Sequence, residues 1–452
     1  MRILLISTYD LGRQPFGLAS PAAWLRAKGH DVTLADLARS PFPREAVKQA
    51  ELIGFFLPMH TATRLFLSVV ERVRAANPAA HLCAYGLYAP LNEQLLRDAG
   101  VSTVIGGEFE QPLVDLVGHS GRPATGVSDL PGTASPGPIF LQRQQFQVPD
   151  RTGLPPLASY ARLALNGSTR TVGYTEASRG CKHRCRHCPV VPVYQGIFRV
   201  VQPEVVIEDI RRQVAAGAEH ITFGDPDFFN GPGHAVKIAE ALHREWPALT
   251  YDATIKIEHL LNHRDLLAVL KNTGCLFVTT AVESLDDYVL EKLAKGHTRR
   301  DFLEALELTR AAGVPLAPTF IPFTPWTTLD SYRAFVRELA ALDLADQVAS
   351  IQLAIRLLLP EGSLLLDLPE IRALAGPFDS RSLCYPWRHL DPAVDSLHAS
   401  VQELIKREDR LRTPRAGTFR QIAELALDRP FPAETPRIAR AAIPYLTEPW
   451  YC

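Results

Sequence analysis

The sequence lacks several features that would assign it to a common class of protein. It has no apolar run approaching the ~20 residues of a membrane-spanning helix, and its start, MRILLISTYD, turns polar at Tyr9 and Asp10. Its 48 basic and 49 acidic residues are interspersed, which gives no electrostatic argument for binding nucleic acid or an anionic membrane. It also lacks internal repeats and low-complexity tracts. We therefore expect a soluble, cytoplasmic protein.

Cysteine is scarce outside one short segment. The 452 residues include seven cysteines, and three of them, Cys181, Cys185 and Cys188, lie within RGCKHRCRHCP. An odd number crowded in this way is a poor disulfide framework and indicates an intracellular metal site. Cys83 and Cys275 lie within apolar runs, so we expect them in the core.

The first 118 residues alternate apolar runs with helical segments. The runs are RILLI, DVTLA, ELIGFFL, AHLCAYG and VSTVIGG. Continuous apolar strands alternating with helices predict a doubly wound, Rossmann-like parallel sheet that is covered on both faces. No GxGxxG fingerprint follows the first strand, so no dinucleotide is implied.

The rest of the chain is predicted to form three further parts. Residues 119–165 are rich in Pro, Gly and Ser and are expected to be a linker. Residues 166–380 contain six apolar strands with five helical segments between them, the last strand being VASIQLAI. This alternation predicts an α/β fold with an open, partial (β/α)6 barrel. Residues 381–452 are expected to be helical and end in TEPWYC.

The three clustered cysteines have the spacing C-x3-C-x2-C and follow the first predicted barrel strand. A structural zinc site usually combines two ligand pairs, and this chain has no second cysteine pair of the CxxC type. Three neighbouring thiolates suit a [4Fe-4S] cluster whose fourth iron stays open to a substrate or cofactor. A zinc site completed by His183 or His187, and thiols without any ligand, are the alternatives.

This motif, followed by a six-fold β/α pattern, resembles the radical S-adenosylmethionine (SAM) superfamily. The segment AVESLDDYVLEKLAKGHT, which contains Glu283, is similar to the subgroup that carries an N-terminal cobalamin-binding-type domain. The resemblance covers roughly residues 1 to 370. It implies that Cys181, Cys185 and Cys188 hold the cluster and that SAM chelates the open iron.

The resemblance also suggests residues that bind SAM. Gly224 and Asp225 end the second barrel strand, where the family has a Gly-Gly-Glu-like segment that faces the amino group of SAM. Asp227 follows in GDPDFFNGPG and could take the same amine, but both aspartates could instead cap a turn.

Three charged residues late in other predicted strands are further candidates for the site. An unpaired carboxylate inside a barrel is costly, so Glu283 should have a polar partner or a function. Lys256 in ATIKIEH and Arg356 in LAIRLLLP could face a carboxylate or a ribose, and placement at the surface is equally compatible with the pattern.

The cysteine segment is also the most basic part of the chain. Lys182, Arg184 and Arg186 would raise the reduction potential of a cluster or dock an acidic electron donor of the flavodoxin or ferredoxin type. Ordinary solvated charge explains them as well.

Cobalamin is a doubtful cofactor for the predicted N-terminal domain. The Asp-x-His-x-x-Gly signature is absent from the loop after the first strand, STYDLGRQ, which has no histidine. His60 in LPMHT is the nearby candidate for a cobalt ligand. The domain could therefore be vestigial or bind cobalamin without a histidine below the cobalt.

The terminal Cys452 resembles the tails of radical SAM proteins that read Cys-Sec-Ala-Glu-Pro or Cys-Cys-Ala-Glu-Pro, which suggests that the native chain continues. Similarity to enzymes of arsinothricin-type biosynthesis implies transfer of the 3-amino-3-carboxypropyl group of SAM to trivalent arsenic, with Cys452 and Cys384 as candidate catalytic thiols. The alternatives are 5'-deoxyadenosyl-radical chemistry or cobalamin-dependent methylation of an organic small molecule, and a non-catalytic metal-binding sensor.

Overall fold

The computed structural model describes residues 1–118, 138–165 and 167–431, together with the backbone of residues 445–446. Two sheets dominate these residues, one entirely parallel and one mostly parallel, and each has helices packed on it. Among the described helices, none is both long and apolar enough to cross a membrane.

The N-terminal sheet is six-stranded and entirely parallel. Its strands, in the spatial order β2-β1-β3-β4-β5-β6, are β1 (Arg2–Ser7), β2 (Asp31–Asp36), β3 (Leu52–Phe56), β4 (His81–Tyr85), β5 (Thr103–Gly107) and β6 (Ile139–Phe140). The helices between them are α1 (Phe16–Ala27), α2 (Arg44–Gln49), α3 (His60–Ala76), α4 (Glu93–Asp98) and α5 (Glu110–Gly118).

Both faces of this sheet are buried, which explains its continuous apolar strands. Ile3 and Leu5 of β1 belong to one hydrophobic cluster, whereas Leu4 and Ile6 belong to a second cluster on the opposite face. Successive side chains of a strand point to opposite faces, so a doubly covered sheet needs apolar residues at every position. The predicted doubly wound sheet is confirmed.

The second sheet is a curled, open sheet with seven strands. Its strands, in the spatial order β14-β13-β12-β11-β8-β7-β15, are β7 (Arg162–Leu165), β8 (Ser168–Thr175), β11 (His220–Phe223), β12 (Thr250–Thr254), β13 (Cys275–Glu283), β14 (Leu316–Phe320) and β15 (Tyr445–Leu446). A separate antiparallel pair consists of β9 (Ser178–Gly180) and β10 (Phe198–Val200). Strands β8 and β11 to β14 are parallel, so their carboxyl ends form one edge.

The remaining helices lie between the strands of this sheet or after β14 along the chain. They are α6 (Val190–Tyr194), α7 (Pro203–Ala215), α8 (Pro232–Glu245), α9 (Ile257–Asn262), α10 (Leu267–Asn272), α11 (Asp287–Lys292), α12 (Arg299–Ala311), α13 (Leu329–Ala341), α14 (Pro369–Leu374), α15 (Pro392–Leu411) and α16 (Arg415–Leu427). Cys83 and Cys275 are 0% and 2% exposed, which confirms the prediction that they are core residues.

The open α/β barrel is confirmed as a fold class, but the sixth predicted strand is absent from the described residues. Within VASIQLAI, residues Ser350–Leu353 form a 3-10 helix. Arg356, which follows this segment, makes only an isolated bridge with Phe323. The side chain of Gln352 explains the difference, because its Oε1 atom accepts a hydrogen bond at 3.0 Å from the backbone N–H of Phe320 in β14. A side chain thus takes the place of a neighbouring strand at the edge of the sheet.

The predicted division into domains stays a prediction. Two pieces of the predicted linker form strands, since β6 joins the N-terminal sheet and β7 joins the second sheet. The predicted C-terminal helical region contains α15 and α16.

Candidate functional site

The three clustered cysteines lie in one loop at the carboxyl edge of the second sheet. The loop follows β8 and β9 and leads into α6. Cys185 is 6% exposed, Cys181 and Cys188 are half-buried, and all three are free thiols. The backbone N–H of Cys188 donates to the carbonyl oxygen of Cys185 at 3.2 Å, which bends the loop so that the three side chains share one region.

Arg186 fastens this cysteine loop to the end of helix α11. Its guanidinium Nη1 donates to the carbonyl oxygens of Lys292 at 2.8 Å and Glu291 at 3.2 Å, and its backbone N–H donates to Leu293 at 2.9 Å. A cation is favourable at the carboxyl end of a helix, where backbone carbonyls lack intrahelical donors. Arg186 therefore has a structural role, whereas Lys182 and Arg184 are exposed.

Glu283 lies at the centre of a buried charged network beside the cysteine loop. Its Oε1 atom is 3.1 Å from His187 Nε2 and 3.3 Å from Lys295 Nζ. Burial alone would raise the pKa of Glu283, but Lys295 and His187 outweigh burial and lower the pKa to about 2. Its backbone has a φ of 68°, a left-handed conformation that costs energy in a residue other than glycine and is typical of functional positions.

The sequence predicted a polar partner for Glu283 but did not identify Lys295 and His187. Lys295 is 3% exposed and His187 precedes the third cysteine, so Glu283 joins the end of β13 to the cysteine loop. The...AKGHT segment gave no local signal that its lysine would be buried.

Lys256 also faces the cysteine loop. Its Nζ atom is 3.8 Å from the Sγ atom of Cys185 and donates to the carbonyl oxygen of Lys295 at 3.0 Å. Burial raises the pKa of the Cys181 thiol and raises that of Cys188 to about 12. Neutral thiols are therefore favoured without a metal, and binding of a cationic metal centre would deprotonate them.

Asp225 braces the chain segment that precedes the cysteine loop. One of its oxygens accepts from the backbone N–H of Ala177 at 2.8 Å and the other accepts from Ser178 Oγ at 2.5 Å. A Cβ atom on Gly224 would lie 1.8 Å from the hydroxyl oxygen of Tyr174, so only glycine permits this packing. Contact of either residue with the amino group of SAM stays a prediction.

Asp227 does cap a turn, as one of the two sequence interpretations expected. Its Oδ1 atom accepts from the backbone N–H of Phe229 at 3.1 Å. Its second oxygen, Oδ2, faces the imidazole of His259, a residue that the sequence analysis did not select.

Two other predicted site residues have contacts elsewhere. Arg356 pairs with Asp395 at 2.6 Å and stacks on Trp387, with the guanidinium carbon 3.6 Å from the ring centroid. Cys384 donates from its thiol to Ser382 Oγ at 3.3 Å within its own loop. Cys452 lies outside the described residues.

A cavity of about 290 Å³ adjoins Glu283. Its wall comes from the residues after β13 and β14 and from the start of α13, and includes polar side chains such as Thr324 and Thr327 together with apolar ones such as Ile321. Acidic residues also line it, among them Asp286, so the wall is mixed polar and apolar.

A cysteine loop at the carboxyl edge of a curled parallel sheet, beside buried lysines, defines a protein of the iron-sulfur α/β barrel class. Residues 175–339 match the profile of the radical SAM superfamily. These residues therefore carry a radical SAM domain, a type of domain that uses a [4Fe-4S] cluster and SAM, and the predicted resemblance to the radical SAM superfamily is confirmed for this part of the chain.

Two curated relatives are similar along most of this chain. The hopanoid C-3 methylase of Methylococcus capsulatus is 26% identical over 335 residues, which are 72% of this chain and 64% of the relative. An uncharacterized methyltransferase of Pyrococcus horikoshii is 22% identical over 352 residues, which are 73% of this chain and 74% of that protein. The chain thus spans less than two thirds of the length of the hopanoid C-3 methylase.

Two solved structures have the same fold. The cobalamin-dependent radical SAM enzyme OxsB, solved with aqua-cobalamin and SAM, has a TM-score of 0.68 at 14% identity and covers 90% of this chain and 66% of its own. The radical SAM methyltransferase TsrM from Kitasatospora setae, solved with tryptophan and a SAM analogue, has a TM-score of 0.68 at 17% identity and covers 95% of this chain and 96% of its own.

The described residues do not fit a cobalamin that is ligated by histidine. The loop after β1 has no histidine, and His60, which follows β3, has its Nε2 atom 2.6 Å from the carbonyl oxygen of Ser382. Three aromatic rings pack together beneath the carboxyl edge of the N-terminal sheet, with ring centroids 5.2 to 6.0 Å apart. They belong to Phe56, Tyr85 and Phe109. The residues at this edge therefore support no step that involves a histidine-ligated cobalamin.

Proposed function

We propose that this chain is a radical SAM transferase that modifies an organic small molecule, with methyl transfer as the favoured reaction. The observation that carries the proposal is the cysteine loop, whose three free thiols lie at the carboxyl edge of the parallel sheet beside Lys256. The methylase and methyltransferase names of the curated relatives support methyl transfer. These relatives give no support to transfer of an aminocarboxypropyl group to arsenic.

In this proposal Cys181, Cys185 and Cys188 hold the [4Fe-4S] cluster. A reduced cluster supplies the electron that breaks a carbon–sulfur bond of SAM. The protein must hold the reacting atoms close together and exclude water. The fastening of the loop by Arg186 and the buried pairing of Glu283 with Lys295 serve that purpose.

Glu283 is the residue that we propose to link SAM with the cavity of about 290 Å³. Its carboxylate is held ionised by Lys295 and His187, and the residue also lines the cavity. An ionised carboxylate there would attract the amino group of SAM. The cavity would then receive the small-molecule substrate next to the cofactor.

An acidic electron donor of the flavodoxin or ferredoxin type is part of the proposal. The exposed Lys182 and Arg184 flank the cysteines and offer a cationic surface to such a donor.

The experiment that tests this function is anaerobic. The cluster is reconstituted, SAM and a reductant are added with and without arsenite, and the nucleoside products are identified by mass spectrometry. 5'-Deoxyadenosine from the reductive cleavage of SAM is expected, and S-adenosylhomocysteine is expected in addition when a candidate organic methyl acceptor is included, because transfer of the methyl group to that acceptor leaves this product. An intact cluster without any turnover of SAM would overturn the proposal, and methylthioadenosine that increases with arsenite would indicate aminocarboxypropyl transfer instead.

A further inference from the structure

Three potential metal ligands from separate segments meet beside the cysteine loop. They are His183 in the loop, Asp227 after β11 and His259 in α9. One ligand atom from each side chain lies within 4.8 Å of the others. Asp227 and His259 are 0% and 2% exposed, and His183 is half-buried.

The distances between these side chains suit a single ion. The Nε2 atoms of His183 and His259 are 3.2 Å apart. Two nitrogens bound tetrahedrally at ~2.0 Å from an ion are about 3.3 Å apart. The Oδ2 atom of Asp227 lies 3.8 Å from His183 Nε2, within reach of the same ion after a small rotation of the carboxylate.

One proposed ligand atom, Asp227 Oδ2, has no hydrogen-bond partner. It lies 2.7 Å from Nδ1 of His259, the ring nitrogen that does not face His183, yet the two atoms are not aligned for a hydrogen bond and both are buried and unpaired. Buried polar atoms are nearly always paired, and an unpaired carboxylate oxygen is especially costly. A cation beside Asp227 would supply the missing partner of this oxygen.

We propose that His183, Asp227 and His259 bind one divalent transition-metal ion. Two imidazoles and a carboxylate with a fourth position open favour zinc. Glu258 Oε2 lies 3.5 Å from His183 Nδ1 and would orient that ring as an outer carboxylate partner. This site is separate from the cysteine thiols and does not depend on which reaction the enzyme catalyses.

The nearby cation Lys256 has an acidic and a sulfur partner of its own. Its Nζ atom is 3.9 Å from Glu258 Oε2 and 3.8 Å from the Sγ atom of Cys185. An ion at the proposed site would cross-link the cysteine loop to the ends of β11 and β12, and so would hold the first half of the loop in place.

The test uses the full chain with its cluster reconstituted. Zinc sulfate is added, loosely bound metal is removed by desalting, and zinc, iron and sulfide are measured per chain. X-ray absorption at the zinc edge then identifies the ligands. We expect one zinc per chain with only nitrogen and oxygen neighbours. The variants Asp227→Asn and His259→Gln should each lower zinc content at least about tenfold without loss of cluster iron and sulfide, whereas His263→Gln, a neighbouring histidine outside the ligand set, should retain zinc.

Each contrary outcome has a definite meaning. Wild-type protein that binds no zinc would overturn the proposal, as would zinc with sulfur neighbours, because that ion would be bound by the cysteines. Retention of zinc by both variants would also overturn it. If the wild-type protein holds no zinc and His259→Gln lowers the affinity for SAM, these residues belong to the SAM-binding site instead.

Discussion

The Nζ atom of Lys256 lies 3.8 Å from the Sγ atom of Cys185, and both side chains are buried. With the proposed cluster bound by Cys185, this buried cation would stabilise the form of the cluster that carries more negative charge, which is the reduced form. The contact thus gives Lys256 a specific place in the proposed function.

Replacement of Lys256 by methionine should lower the midpoint potential of the cluster. Removal of the cation destabilises the reduced form, and we expect a negative shift on the order of tens of millivolts with the cluster retained. Redox titration followed by electron paramagnetic resonance measures the shift. Lys182→Met is the matched control, because Lys182 is exposed and its charge is screened by solvent; an equal shift in both variants would contradict a specific role for Lys256.

Substitution of Cys185 by alanine should abolish both the brown chromophore and the cleavage of SAM. Two remaining thiols cannot hold the cube in a defined position. Iron and sulfide content together with nucleoside analysis give the result. Cys384→Ala should keep the chromophore, because the Cys384 thiol bonds to Ser382 within its own loop. A Cys185→Ala variant with full cluster content and turnover would refute the assignment.

The sequence predicted those parts of the fold that depend on local pattern. The continuous apolar runs of β1 and β3 indicated a sheet covered on both faces, and the spacing of Cys181, Cys185 and Cys188 indicated the cofactor. The prediction of a sixth barrel strand was wrong, since the side-chain oxygen of Gln352 accepts a hydrogen bond from β14 where a strand was expected. No pattern of hydrophobicity indicates that a side chain will replace a strand.

Contacts between distant segments could not be predicted from the sequence. Asp225 has the position of a cofactor ligand in the sequence, but its two oxygens bond to Ala177 and Ser178. Lys295 looks like a surface residue, yet it is buried against Glu283. Such pairings depend on how loops from different strands meet at one edge, and a single sequence does not contain that information.

The ionisation of Glu283 should make stability dependent on pH in the acid range. Its pKa is about 2 in the folded protein against an ordinary 4.5, because Lys295 and His187 outweigh its burial. The stabilisation is therefore complete above the ordinary pKa and is lost as the pH falls towards the folded value. Between about pH 6 and about pH 3 the linkage amounts to about 2 kcal/mol.

Denaturant unfolding of wild type and Glu283→Gln measures this contribution. The difference between their free energies of unfolding should shrink by about 2 kcal/mol over that pH interval, since glutamine does not titrate. Because the two proteins share all other carboxylates, the effect of their titration on the free energy of unfolding cancels in this comparison. A difference that stays constant with pH would mean that Glu283 is not ionised by its partners.

Arg179 should be essential for the stability of the junction between the two sheets. It lies two residues before Cys181 and is buried, and it pairs with Glu110 at 2.6 Å, Glu176 at 2.7 Å and Glu108 at 3.3 Å. Glu108 and Glu110 follow β5 of the N-terminal sheet, so one guanidinium connects that sheet to the cysteine loop. Truncation would leave buried carboxylates without a counter-charge.

We expect Arg179→Met to lower the free energy of unfolding by about 3–5 kcal/mol, the cost of removing one partner of a buried ion pair. Arg211→Met is the matched control, because Arg211 pairs with Glu208 and Glu245 on the surface, where solvent screens the charges, and its loss should cost much less. Reconstituted cluster content should fall with Arg179→Met as well, since the start of the cysteine loop loses its anchor. Equal stability of the two variants would show that the carboxylates near Arg179 become protonated or hydrated at little cost, and the junction would then depend on apolar packing.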